Sequence, residues 1–431
     1  MRKILAVLLA MSLITVSGCK KKKKATDELF MYGEREYFEP FKSAKTSYCT
    51  LNEGVVLPAQ TQGYSGCFAC SALTSMQAYL QKTKKGNIDA VGKDIFCRMY
   101  RPGTDLDTGD EGCFAMIGQW DEYGANPLMV CAAVDDVPLD GYYMTGVNRI
   151  NNPTVDQLKT WVKEYGAPVV TVHYNAGLSD YHGYPTQYYK DVEPNHFLCV
   201  IGWDDTFPKE GFVGTASQDG AWLVKNSIVS QANVPEYYWI SYDVGFSLAV
   251  TYEASNEYSY VANNGYALSA FFDIGTGEEE VSYATIYRHE GELASVGVFV
   301  EEACEYTIEI LDGEFGEVLT SVDRSELYSG YHVVKLDKPV PVDTCTIVIH
   351  QRGSDTVVFE GESATVETFR YITGASAGGK IEYVVNTEPN TSFVFVDGQW
   401  VDVMDDSLVE KLGLGDEISH IGDPFLAALY K

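Results

Sequence analysis

Positive charge is scarce in this chain. Its 431 residues carry 31 lysines and arginines against 61 aspartates and glutamates, a formal net charge of −30. A surface with that balance repels phosphate backbones, which excludes nucleic acid as a partner. Long apolar runs are lacking beyond residue 14, so no later segment reads as a transmembrane span. There are seven histidines, and His173 and His182 show no metal-ligand spacing; neither a metal nor another cofactor is expected. No internal repeat is visible. Apolar material, by contrast, is plentiful. At 45% hydrophobic and 13% aromatic residues, the chain can fill two cores.

The first residues read as an export segment rather than as part of a fold. Arg2 and Lys3 precede an apolar run over residues 4–14, followed by Val16, Ser17, Gly18 and Cys19. That run is too short for a span and fits a secretory signal. A cysteine directly after small residues resembles a bacterial lipobox. The expectation is therefore a signal peptide over 1–18 and a lipidated Cys19, with the protein exported and held by lipid at the outer face of the cell membrane. An ordinary signal with a chance cysteine is the plainer alternative. Residues 19–45 read as a polar tether. It opens with Lys20 to Lys24, a solvated run that can also sit on anionic headgroups at about 1 kcal/mol per charge.

Cysteine is used ten times. An exported chain permits disulfides, but spacing does not dictate pairing. Beyond Cys19 and Cys67, the set is Cys49, Cys70, Cys97, Cys113, Cys131, Cys199, Cys304 and Cys345. Cys304 and Cys345 each open a strand-like run and make the best candidate pair. Cys70 and Cys199 sit in apolar patterns and read as core thiols.

Periodicity divides the rest into two textures. Over 46–253, helical and strand patterns mix. Phe68, Leu73, Met76, Tyr79 and Leu80 fall at helical spacing after Gly66. Thr154 and Gln157 form a capping box ahead of the stripe Leu158, Trp161, Val162, Tyr165, and Gly166 stops it. Buried strands are expected at VVTVHY after Pro168, at 197–203 and at 221–226. Over 254–431 the period becomes two, with runs at 295–300, 306–311, 332–336, 346–349, 381–385 and 393–396 and turn signals at Asp312-Gly313 and Asp397-Gly398. Such spacing reads as an all-β sandwich.

Three separated stretches carry the chemistry: LPAQTQGYSGCFACSALTSMQAYL at 57–80, PNHFLCVIGWDD at 194–205 and DGAWLVKNS at 219–227. They supply a thiol at a helix start, an imidazole at the head of a strand and a carboxamide at a strand end. A thiol is only a few per cent ionised at neutral pH and needs a base; the base needs a third group to fix its ring.

These stretches resemble those of papain-like cysteine peptidases, and most of all the bacterial branch in which a lectin-like β-domain follows the peptidase. The first motif of that family reads roughly QGxxGxCWAF. Here it is QGYSGCFACS, with one residue fewer between Gly66 and Cys67 and with Phe68 where Trp is usual. NHAVxxVGWDD is matched from Asn195 to Asp205. KNSWGxxWGxxGYFYISY corresponds to KNSIVSQANVPEYYWISY at 225–242, where Ile228 replaces the Trp that shields the Asn–His contact. The resemblance runs from about Thr46 to the C-terminus. It implies an α+β papain-like fold, a helical half and a β half with the site in the cleft between them, followed by a lectin-like β-sandwich. It also implies Cys67 as nucleophile, His196 as base, Asn226 as orienting amide, and Gln62 as oxyanion donor with the Cys67 backbone N–H. An imidazolium–thiolate pair between His196 and Cys67 would attack a peptide or protein substrate. The second domain would offer a glycan site.

Other readings remain open at this level. The departures around Cys67 and at Ile228 fit a weakened or inactive papain-fold lipoprotein that binds peptides or glycans. Cys67 and Cys70 also form a Cys-x-x-Cys pair, compatible with thiol–disulfide exchange, and a peptidoglycan-cleaving enzyme would use the same residues.

Overall fold

The structure is a computed structural model. It describes residues 46–62, 67–90, 92, 138–175, 177–214, 216–229, 235–263, 270–273, 280–354, 356–362, 387–415 and 420–431. The signal segment, Cys19, the tether, Gly63, Ser65 and Gly66, Cys97, Cys113, Cys131 and the 381–385 run lie outside the described residues.

Helix α1 (Cys67–Lys82) begins at the proposed nucleophile and is buried from Cys67 to Leu80. The expected apolar stripe is inside, but so is the opposite face, so α1 is a central helix rather than an amphipathic one. Small residues at 69–72, 75 and 78 allow this close approach. Two of its buried polar groups find partners within the protein, Thr74 Oγ1 donating to the Cys70 carbonyl at 2.8 Å and Gln77 Nε2 to the Ile88 carbonyl at 2.9 Å, whereas Ser75 Oγ and Gln77 Oε1 are buried without a partner among the described residues. Helix α2 (Val155–Tyr165) carries the capping box read from sequence. The Gln157 N–H donates to Thr154 Oγ1 at 3.2 Å, and the Thr154 N–H to Gln157 Oε1 at 2.9 Å. Leu158, Trp161 and Val162 are its buried stripe, each contributing about 2 kcal/mol through burial.

The first unit contains strands β1 (Ser47–Cys49), β2 (Thr61–Gln62), β3 (Tyr143–Asn151), β4 (Val169–Val172), β5 (Ser179–Tyr181), β6 (Tyr184–Gln187), β7 (His196–Asp204), β8 (Ala221–Lys225), β9 (Ile228–Val229), β10 (Tyr237–Ser241) and β11 (Leu248–Ser255). The second contains β12 (Tyr260–Asn263), β13 (Ala270–Asp273), β14 (Glu280–Tyr287), β15 (Gly291–Val300), β16 (Cys304–Asp312), β17 (Val318–Glu326), β18 (Gly330–Val342), β19 (Cys345–Arg352), β20 (Val358–Glu362), β21 (Ser392–Val396), β22 (Gln399–Asp402), helix α3 (Asp406–Lys411), β23 (His420–Pro424) and β24 (Leu426–Tyr430).

The long sheet runs β12-β24-β15-β18-β3-β11-β4-β7-β8-β10-β6-β5, with β1 added beside β7. One face of its first-unit part packs on α1 through Phe197, Cys199, Ile201, Leu223 and Trp239. The other packs on α2 through Leu198, Val200, Val224 and Tyr238. Strand dominates over helix among the described residues, and of the implied helical half they include α1.

In the second unit the sheet β17-β16-β19-β14-β21-β22 faces β15, β18 and β24 across a core of Tyr283, Val296, Ile308, Val334, Ile347 and Leu426. This is the sandwich that the period-two runs anticipated. The two units share backbone pairing. His332 of β18 pairs with Gly146 of β3, and an isolated bridge joins Arg149 to Ser329. Beside that seam Arg149 Nη1 contacts Glu301 Oε1 at 3.0 Å.

The suggested Cys304–Cys345 disulfide is incorrect. Both thiols are free and buried. On β16 and β19 the register sets Cys345 opposite Asp312, whereas Cys304 lies at the far end of β16 opposite Glu326 of β17. Eight residues of strand separate the two positions, roughly 26 Å, and a disulfide needs Cα atoms within about 7 Å.

Candidate active site

Antiparallel pairing assembles the site. β7 and β8 run side by side with Cys199 opposite Lys225 and Val200 opposite Val224. The head of one strand, His196, therefore meets the residue after the end of the other, Asn226. His196 Nε2 lies 2.7 Å from Asn226 Oδ1. A carboxamide oxygen only accepts, so Nε2 carries the proton in this pairing, and Nδ1 is left as the basic nitrogen. The Asn226 backbone N–H donates to the Glu236 carbonyl at 2.7 Å. One residue earlier, Lys225 Nζ and Glu236 Oε1 form a buried ion pair at 2.7 Å. The end of β8 is thereby tied to the segment leading into β10.

Cys67 stands at the N-terminus of α1, over the head of β7. The backbone N–H groups of Phe197, Phe68 and Cys67 itself are directed at its sulfur. They join the partial positive charge of the helix end in favouring a thiolate. Burial works the other way and is stronger. It pushes the Cys67 thiol up to about 11 and the His196 imidazole down to about 4, against the support of the Asn226 hydrogen bond. Cys67, His196 and Asn226 expose only 2%, 6% and 1% of their surface. Taken singly, each group favours its neutral form, so the resting ion pair expected from sequence is opposed by desolvation.

The backbone of Gln62 lies in β2, which pairs in parallel with β9: Thr61 opposite Ile228 and Gln62 opposite Val229. The stretch before Cys67 thus meets the stretch after Asn226. The Gln62 and Ile228 side chains lie outside the described residues. Cys70, one turn past Cys67, and Cys199 are buried thiols pushed up to about 12 by burial, as core cysteines should be. Among the described residues no cluster of His, Cys, Asp and Glu could hold a metal ion, and no helix is long and apolar enough to cross a membrane.

Sequence reasoning overlooked two neighbours of the imidazole. The Tyr174 ring packs on the His196 ring with centroids 4.9 Å apart. Asn195 holds the Tyr174 backbone at both ends: the Tyr174 N–H donates to Oδ1 at 2.7 Å and Nδ2 donates to the Tyr174 carbonyl at 3.3 Å. The available signal was an aromatic two residues beyond a buried β-branched run.

The second unit carries a cleft of about 570 Å³ lined by Glu280, Ser282, His350, Phe395, Asp397 and Trp400, among others. Phe395 is 43% exposed and packs edge-on against Trp400 at 5.2 Å. Ser282 Oγ and His350 Nδ1 are 2.8 Å apart.

The fold is similar to that of solved cysteine protease structures that carry a lectin-like domain. Two solved structures carry that similarity. One, a cysteine-to-alanine variant of the clostridial cysteine protease Cwp84 after propeptide cleavage, aligns at TM-score 0.64 and 16% identity over 90% of this chain and 99% of that one. The other comprises the cysteine protease and lectin-like domains of Cwp84, a surface layer associated protein of Clostridium difficile. It aligns at TM-score 0.59 and 17% identity over 89% of this chain and 88% of that one. No protein-family model matches the chain, and no curated protein sequence does.

Proposed function

We propose that this protein is a surface-anchored papain-like cysteine endopeptidase. What carries the reading is the 2.7 Å contact between His196 Nε2 and Asn226 Oδ1, formed at the sheet end over which α1 sets Cys67. As a peptide binds, His196 Nδ1 accepts the proton of the Cys67 thiol while the sulfur attacks the scissile carbonyl. Gln62 and the Cys67 backbone N–H take the charge that develops on oxygen, where one such donor is worth about 3 kcal/mol. His196 then gives its proton to the leaving amine. A water, deprotonated by the same nitrogen, hydrolyses the thioester and restores the thiol. Asn226 keeps the imidazole in the tautomer this sequence requires.

In the same proposal residues 1–18 are a signal peptide, Cys19 is the lipidated anchor of a tether over 19–45, and the peptidase and lectin-like domains span 46–253 and 254–431. The surface association stated for Cwp84 is compatible with such an anchor. Cys19→Ser should release the protein from the membrane fraction. The aromatic and carboxylate lining of the second-unit cleft suits a glycan, since sugars offer both C–H faces and hydroxyls.

The burial of both reacting groups favours one rival, a papain-fold protein that binds peptides without cleaving them. A fluorogenic peptide library separates the two. Turnover abolished by Cys67→Ala supports the peptidase; peptide binding without turnover supports the rival.

A further inference from the structure

We infer that Tyr174 is a positioning residue that locks the Asn226–His196 pair, an inference resting on the peptidase reading above. An amide that must present Oδ1 to an imidazole N–H needs something to stop it rotating by half a turn. Rotated, it would oppose one donor with another and drive His196 toward the tautomer with its proton on Nδ1, where it cannot take one from Cys67. The other end of the Asn226 amide, Nδ2, is buried and makes no hydrogen bond of ordinary geometry to a described residue. Beside it lies the Tyr174 hydroxyl oxygen, also buried and likewise without another partner among the described residues. A small approach of the two groups turns this juxtaposition into an Nδ2–H to Oη hydrogen bond. The amide would then be held with its oxygen on Nε2.

The Tyr174 ring supplies a second element, a cover. It lies against the imidazole at 4.9 Å with the planes tilted by 39°, and it also packs near the buried Tyr238 at 6.1 Å. Position 228, where a Trp would cover this contact from the chain after Asn226, is an Ile whose backbone is paired with Thr61. The cover here comes from the segment that follows β4. The register explains how: Val172, the last residue of β4, is opposite His196, and Tyr174 is two residues further on the same face. Asn195 binds both backbone groups of Tyr174, so the cover is registered to the residue immediately before the base.

The test uses Tyr174→Phe, which keeps the ring and removes the hydroxyl, and Tyr174→Leu, which removes both. Two readouts are needed: kcat and KM on a peptide that the wild type cleaves, and the nitrogen-15 tautomer signature and water exchange of the His196 Nε2–H by NMR. Tyr174→Phe should lower kcat about tenfold with KM within about twofold, and Tyr174→Leu about a hundredfold, since holding the wrong tautomer costs still more in related triads. Nε2–H exchange should speed up in both, most in Tyr174→Leu. Unchanged exchange and tautomer in both variants would overturn the inference. The NMR readout does not depend on turnover, so a wild-type protein that cleaves nothing would defeat the peptidase reading while this experiment still decided the role of Tyr174.

Discussion

The Cys199 thiol donates a hydrogen bond to the Ser71 carbonyl at 3.3 Å. Cys199 is three residues past His196 on β7, and Ser71 four residues past Cys67 on α1. This contact therefore fastens the helix that starts at Cys67 to the strand that starts at His196, close to both residues. Cys199→Ala removes the bond and leaves a small cavity. The expected loss is about 1–2 kcal/mol in urea denaturation, together with lower kcat. Unchanged kcat in a destabilised variant would mean that the contact supports the core and not the alignment.

Thiol reactivity reports how the site rests. With burial holding Cys67 near 11 and His196 near 4, Cys67 should react slowly with iodoacetamide at about pH 6 and faster as the pH rises through the alkaline range. A fast plateau near pH 6 that disappears in His196→Ala would instead establish a resting ion pair.

His196 also links stability to pH. Its value in the fold, about 4, is below the ordinary 6.5. Between those values the unfolded chain holds a proton at this position that the folded chain does not. Stability should thus fall as the pH drops from 6.5 toward 4, by about 3 kcal/mol from this residue when complete. His196→Gln should have a flatter acid limb in urea midpoints measured between those pH values. Identical limbs would contradict the depressed imidazole.

The seam between the two units depends on Gly330. Its φ is +137°, and a Cβ there would lie 1.9 Å from the Val147 carbonyl oxygen. Gly330→Ala should destabilise the protein by at least about 2 kcal/mol. Gly313→Ala, at φ +57° with nothing within 4 Å, serves as the control with a loss of about 1 kcal/mol. Equal shifts in melting temperature for the two would show that the seam can yield.

Trp400 packs against both Phe315 and Phe395, at 5.4 and 5.2 Å, and borders the second-unit cleft. If that cleft takes a glycan, Trp400→Ala should weaken oligosaccharide binding in calorimetry by about tenfold, with peptide turnover unaffected. Binding that survives the substitution would locate any glycan elsewhere.

The sequence by itself determined what short-range physics controls. The Thr154–Gln157 capping box, the stop at Gly166, the start of α1 at Cys67 and the strand runs at 295–300, 306–311 and 346–349 are all local patterns, and the structure forms them where they were read. So too with the order of thiol, imidazole and amide along the chain, because motif residues are legible one stretch at a time. Long-range contacts decided the rest. Only register could separate Cys304 from Cys345 along β16, and only packing on every side could bury α1 past what its stripe implied. Burial of Cys67 and His196 opposes the ion pair that the motif implied, since desolvation is a property of surroundings and not of a motif. Tyr174 reached the imidazole, and β18 reached β3, through pairing between segments distant in sequence. No periodicity within either segment records the partner it will meet.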